Sequence, residues 1–264
     1  VSKQLLIYET AVPVSSGRHG KASVQLGKGY GFARHINSAP LMAVEFPAAA
    51  ADYAIVFAQD GKDVLPAVIL GARAGENLYV KDDGGWGSSY LPAFIRRYPF
   101  IFSASDDGKT FTLCVDEAFQ GLNYLGQGQA LFTPEGQQTP YVDNVLKFLQ
   151  EYRAQFVRTQ VFCRKLVELK LLEPMRAQFT IGSDKMALGG FMAVDRARLK
   201  ALAGDVLAQL AATDELELIY LHLQSMRNFA AVKDRLVVTR PAGAQEPAAD
   251  GSPAQAVAAA AAAA

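Results

Sequence analysis

One segment limits the possible folds more than any other. Between Tyr141 and Leu172, apolar residues recur at Val142, Val145, Leu149, Tyr152, Phe156, Cys163 and Leu166. Steps of three, four and seven put them on one face of a long helix. Lys147, Glu151, Arg158 and Lys165 mark its wetter side. Asp143 or Thr139 is placed to cap its start. Glu173-Pro174 is expected to end it, because proline disfavours a helical residue before it. A helix with a single apolar stripe must bury that stripe on something else. The preceding 120 or so residues offer strands and turns rather than helices.

The first expected strand is "KQLLIYE". "YAIVFAQDGKDVLPAVIL" reads as a hairpin, two apolar runs around Asp60-Gly61, where glycine accepts positive φ. "YPFIFSASDDGKTFTLCV" repeats the pattern around Asp107-Gly108. Residues 118–140 are rich in Gly, Gln and Pro and read as a connection, pinned to the core by Phe119, Leu122, Leu125 and Phe132. Beyond the long helix, "AQFTIGSDKMALGGFMAV" suggests a third hairpin turning at Gly182-Ser183-Asp184. Short helices follow, the first capped by Asp195. A longer helix is expected over about 214–235, with Leu216, Ile219, Leu223, Met226 and Ala230 on one face; a strand beginning at Leu216 is the rival reading of its first half, since "LELIYLHL" also alternates. The fold class is therefore α+β: antiparallel hairpins packed with a long helix (about 141–172) and further C-terminal helices, in a single domain over 1–239. Residues 240–264 are Ala- and Pro-rich, cannot bury enough apolar area to offset chain ordering, and are read as a disordered tail.

Acidic and basic residues balance at 26 each. Zero net charge gives no general pull toward nucleic acid or anionic lipid. No stretch reaches the roughly 18 apolar residues of a membrane span. The N-terminal apolar run is too short for a secretory signal, so a cytoplasmic location is expected. Cys114 and Cys163 read as small buried hydrophobes in a reducing compartment.

Few residue patterns suggest chemistry. His19, His35 and His222 are the three histidines. None belongs to an HExxH, HxH or Cys-rich cluster. A metal-assisted enzyme using His35, Glu45 and His222 is one alternative, because two histidines and a carboxylate can hold iron or zinc. Ser225 lies three residues after His222 but lacks a glycine elbow and oxyanion donors. "GKGYGF" lacks phosphate-loop spacing and reads as a tight backbone turn. No motif calls for a cofactor, and none is expected.

The most distinctive stretch is "GGWGSSYLPAFIRRYPF", which holds the single tryptophan, Trp86. Its bland reading is a structural corner: glycines turn the chain, Pro92 opens a short helix and aromatics clamp it. Its functional reading is a ligand site. Arg96 or Arg97 would grip a carboxylate, with Trp86, Tyr90 and Tyr98 as apolar or cation–π walls. The ligand would be an anionic small molecule or a protein partner. Nucleic acid is not expected, and the oligomeric state is open. If only a corner exists, one arginine should be tied to an acid such as Glu45, Glu76 or Asp116.

"NSAPLMAVEFPAAAADYAIVF", "ILGARAGENLYV", "GGWGSSYLPAFIRRYPF", "GFMAVDRARLKAL" and "LELIYLHLQSMRNF" occur in this order. Together they resemble the SapC family of bacterial proteins, over about residues 3–236, with "YLPAFIRRYPF" the most specific block. Ala54 departs from the pattern, where a proline would follow the tyrosine. The resemblance implies association with a bacterial surface layer, and carries over no catalytic residues. Members of the family tend to accompany genes for outer-membrane receptors, flavin-dependent halogenases and cupin-like proteins. This implies an accessory role in small-molecule uptake or modification. The leading expectation is a non-catalytic accessory or binding protein. A surface-layer (S-layer) component at the cell surface is a further alternative.

Overall fold

A computed structural model describes residues 6–239 apart from 28, 62, 106–107 and 182–183. The tail expected at 240–264 therefore lies outside the described residues. In chain order the first elements are β1 (Ala11–Pro13), α1 (Ser16–His19), β2 (Ser23–Val24), β3 (Ser38–Pro40), α2 (Phe46–Ala49), β4 (Ile55–Asp60) and β5 (Asp63–Ile69). Then come α3 (Ala93–Arg96), β6 (Phe100–Ala104), β7 (Phe111–Asp116), β8 (Leu122–Asn123), β9 (Gln129–Ala130) and α4 (Pro140–Glu168). The chain continues through β10 (Leu172–Ile181), β11 (Asp184–Val194), α5 (Arg196–Lys200), α6 (Gly204–Ala212), α7 (Glu215–Ser225) and α8 (Phe229–Thr239).

The strands form a five-stranded sheet, β10-β11-β4-β5-β3, and two three-stranded sheets, β1-β7-β6 and β8-β2-β9. All the pairings are antiparallel. The fold is α+β, as expected. Near-continuous apolar runs in β4 and β5 suit strands covered on both faces, and Ile55–Ala58 are fully buried. Helix α4 packs on β5, while α7 packs on β4 and β11. Pro66 sits inside β5 without harm. Its carbonyl faces Leu41 N–H, just past the end of β3, so its missing donor falls where the neighbouring strand has stopped.

All three hairpins form, and Gly61 and Gly108 take positive φ (59° and 67°) in the first two turns. Asp107 and the Gly182-Ser183 turn lie outside the described residues. Four local expectations are corrected. "KQLLIYE" does not form a strand over its described part; pairing begins at Ala11, and Ile7 and Tyr8 are instead buried anchors. Leu125 is 80% exposed rather than docked, while Phe119 and Phe132 are buried. The expected single helix over 214–235 is two helices joined by a 3₁₀ turn at Met226–Asn228. Its buried face carries Ile219, His222 and Ser225 rather than Leu223 and Met226.

The fourth correction concerns how the long helix ends. It runs 29 residues, about 44 Å, and stops before Glu173-Pro174. Lys170 adopts φ 54°, Lys170 N–H bonds Val167 O (2.9 Å), and Leu171 N–H bonds Leu166 O (3.0 Å). These are the two bonds of a Schellman stop. Pro174 then lies in β10, an edge strand, where a missing donor is tolerated. A lysine at left-handed φ carries a steric cost that glycine lacks. Lys170→Gly is therefore expected to stabilise the fold by roughly 1 kcal/mol, a rise of about 2–4 °C in thermal midpoint by calorimetry.

At its start, Thr139 takes the capping position but donates its hydroxyl to Ala130 O (2.7 Å). Asp143 lies in the first turn, where a negative charge favours the helix dipole. Among the described residues, no helix is long and apolar enough to cross a membrane.

Candidate functional site

The stretch 84–100 is held in place by two carboxylates that precede it in sequence. Asp52 Oδ2 accepts the hydroxyls of Ser88 (2.7 Å) and Ser89 (2.6 Å) and the Tyr90 N–H (3.1 Å). Burial opposes ionisation of Asp52, but these donors outweigh it and hold the carboxyl below its ordinary range. Glu45 is 5% exposed. Its Oε1 accepts the Tyr90 hydroxyl (2.7 Å) and Ala93 N–H (2.7 Å), while Oε2 accepts Met42 N–H (2.8 Å). Burial pushes the Glu45 carboxyl up, against those same hydrogen bonds.

Trp86 Nε1 donates to the Tyr53 hydroxyl (2.7 Å), which in turn donates to the Tyr90 carbonyl. The indole lies between Tyr79 and Tyr30, at 6.2 and 5.5 Å between ring centroids. The loop of "GKGYGF" closes against this corner. Tyr30 N–H bonds Gly84 O (2.8 Å), and a Cβ on Gly29 would come within 3.0 Å of that oxygen. The glycines there serve close backbone approach, as the sequence suggests.

Helix α3 then sends its two arginines in opposite directions. Arg96 is exposed, and Arg97 is 3% exposed. Arg96 lines a cleft of about 680 Å³ whose apolar walls are Tyr30, Phe32, Leu91, Ile95, Tyr98 and Phe119. Its guanidinium carbon rests 5.6 Å from the Phe148 ring centre and 5.9 Å from that of Tyr90. Among the described residues it makes no ion pair. Tyr98 stacks on Phe32 (4.0 Å, 21°) and donates to Asp116 Oδ2 (3.2 Å). A second cleft, of about 280 Å³, shares Phe32, Tyr98 and Phe119 and adds the polar groups of Glu9, His35 and Gln120.

A family model described as SapC matches residues 14–232. The chain belongs to the SapC family. No curated protein and no solved structure matches it.

Of the residues that the sequence offers as a ligand site in this SapC-family chain, Arg96 and Tyr98 meet at the cleft. Trp86 and Tyr90 stand behind it, Trp86 against Tyr30 and Tyr90 on Glu45. Arg97 faces the interior and does not line the cleft. Neither arginine is tied to Glu45, Glu76 or Asp116 by an ion pair. The alternative set of His35, Glu45 and His222 is not brought together. His35 is exposed in the smaller cleft, and Glu45 is occupied by three donors. Among the described residues, no three His, Cys, Asp or Glu side chains are grouped to hold a metal.

His222 has a different task. Strands β11 and β4 pair at Met192 and Phe57; two residues further along the ladder, Val194 and Ile55 are bridged by the imidazole. Nε2 accepts Val194 N–H (3.0 Å), and Nδ1–H donates to the Ile55 carbonyl (2.9 Å). Ser225 Oγ accepts Ile55 N–H (3.0 Å) and donates to the His222 carbonyl (2.7 Å). Both side chains thus complete a strand's backbone bonds and are not free for catalysis. Cys114 and Cys163 are buried free thiols, and burial pushes both thiols up, away from reactivity.

Sequence reasoning missed Tyr30 and Phe32 as cleft walls, and missed Asp52 and Tyr53 as supports. The aromatic residues interleaved with the glycines of "GKGYGF" were the available signal for the walls.

Proposed function

We propose that this SapC-family protein is a non-catalytic binding protein for a small molecule with a flat apolar body and one anionic group. The observation that carries this reading is Arg96, a guanidinium without an ion-pair partner among the described residues, at the wall of an aromatic cleft. A volume near 680 Å³ falls in the range of small-molecule sites, which are largely apolar with a few polar groups that fix orientation. Guanidinium groups favour carboxylate-like partners through paired N–H donors. Asp83 also lines the cleft, which disfavours a second negative charge on the ligand. The histidine and serine best placed for chemistry by sequence, His222 and Ser225, are committed to backbone.

Anilinonaphthalene sulfonate, an aromatic monoanion, is a suitable probe. It is expected to bind one site saturably and to perturb the emission of the single tryptophan, which packs against the cleft residue Tyr30. Arg96→Gln is expected to weaken binding about 10–100-fold, the loss of a hydrogen bond to a charged group. Because Arg96 is exposed, the thermal midpoint should stay within about 2 °C of the parent. Unchanged probe affinity in Arg96→Gln would sink the proposal.

A further inference from the structure

We infer that the interior between α3, α4 and the segment at Tyr8 holds a small inorganic anion of the halide class, bound by Arg97 and Tyr152. Arg97 is 3% exposed, and its guanidinium carbon lies 4.4 Å from the Phe94 ring centre, 4.8 Å from Tyr152 and 5.7 Å from Tyr8. Aromatic faces moderate a buried positive charge but do not accept its hydrogen bonds as a carboxylate would. Arginine cannot escape the cost by losing its proton. Yet no carboxylate of the described residues lies within 4.0 Å, and Arg97 Nε and Nη1 have no protein acceptor. The Tyr152 hydroxyl, on the adjoining ring, is also buried without a partner.

The two buried carboxylates of this region are already taken up elsewhere. Glu45 receives its three donors from Met42, Tyr90 and Ala93. Asp116 receives Glu9 N–H (2.9 Å), Thr10 N–H (2.9 Å), Ala118 N–H (3.1 Å) and the Tyr98 hydroxyl (3.2 Å). The Tyr8 hydroxyl donates to Phe100 O (2.8 Å) and accepts from the Arg97 guanidinium, which still leaves Arg97 Nε and Nη1 without an acceptor. What remains unmatched is three N–H donors on two nitrogens of Arg97, one O–H donor and a positive charge without an ion-pair partner among the described residues. That set repels a cation. A single water has two lone pairs and no charge to offset the guanidinium. A monatomic anion offers both the charge and undirected acceptance. Neither cleft beside α3 reaches Arg97, which favours a small ion over an organic one.

The test is calorimetry of the full chain at constant ionic strength, exchanging sodium gluconate for sodium bromide or chloride, with bromide-soaked crystals beside it. The thermal midpoint is expected to rise by about 3–5 °C per tenfold halide once above Kd. The rise should persist in Arg96→Gln, require about tenfold more halide in Tyr152→Phe, and vanish in Arg97→Met. An anomalous bromide peak should lie within hydrogen-bond reach of Arg97. An identical halide response in Tyr152→Phe and the parent overturns the inference, as does density at Arg97 without anomalous signal, which would be water. Should Arg97→Met fail to fold, Tyr152→Phe and the bromide peak decide between these outcomes.

Discussion

Replacing Asp116 with alanine is expected to cost about 3–5 kcal/mol in denaturant unfolding. This carboxylate is fully buried at the end of β7 and accepts four hydrogen bonds, from Glu9, Thr10, Ala118 and Tyr98. Each buried donor left without an acceptor costs roughly 1–3 kcal/mol, and the two at the partly exposed N-terminal segment recover some of that through water. The loss is a large share of the 5–15 kcal/mol typical of a domain. Tyr98→Phe removes one of the four bonds and should cost about 1 kcal/mol. The Asp116 change should also loosen Tyr98, which lines both clefts, and so weaken anilinonaphthalene sulfonate binding. A loss under about 1 kcal/mol for Asp116→Ala would mean the four bonds form equally well to water.

The second large effect is acid sensitivity through His222. Its ring is fully buried, and burial pushes its pKa down to about 4, from 6.5 in an exposed chain. The Val194 N–H pointing at Nε2 likewise requires the neutral ring. Between these two values the unfolded chain binds the proton and the native chain does not. Stability therefore falls as pH drops from about 6.5 toward 4, by ~3 kcal/mol in all, and is unaffected by this group above pH 7. His222→Gln keeps an acceptor and a donor but does not titrate. Its unfolding free energy, measured by urea titration across that window, should fall less steeply than the parent's. Equal slopes would remove His222 as the acid-sensitive group. His222→Ala should instead lose about 4 kcal/mol at pH 7 and above, since both Val194 N–H and Ile55 C=O are left unmatched in a cavity, and its deficit relative to the parent should shrink toward pH 4, where the parent itself has lost the contribution of the neutral ring.

The strand and helix pattern was legible where it is local. Gly61 and Gly108 mark turns because only glycine adopts positive φ cheaply, and the α4 stripe follows from 3.6-residue periodicity. Errors arose where tertiary contacts override local preference. The helix stop at Lys170 has no glycine to announce it, and a proline four residues later drew the boundary to the wrong place. In α7, leucines half-buried at the margin of the core and a histidine and serine fully inside it reverse the usual reading, because Ile55 needs bonding partners beyond the end of its ladder.

The amino-acid sequence alone carried the α+β class, the three hairpins and the family, and it singled out the 84–100 stretch as a tightly turned corner. These depend on turn chemistry, periodicity and short motifs, which act between near neighbours. Only the tertiary structure separated Arg96 from Arg97. Two adjacent arginines on one short helix are equivalent until α4 brings Tyr152 over one of them. The loop at Tyr30 and the connection at Phe119 then wall a cleft beside the other. Burial is a property of surfaces that meet, and these residues meet only after some ninety positions of chain have folded back between them.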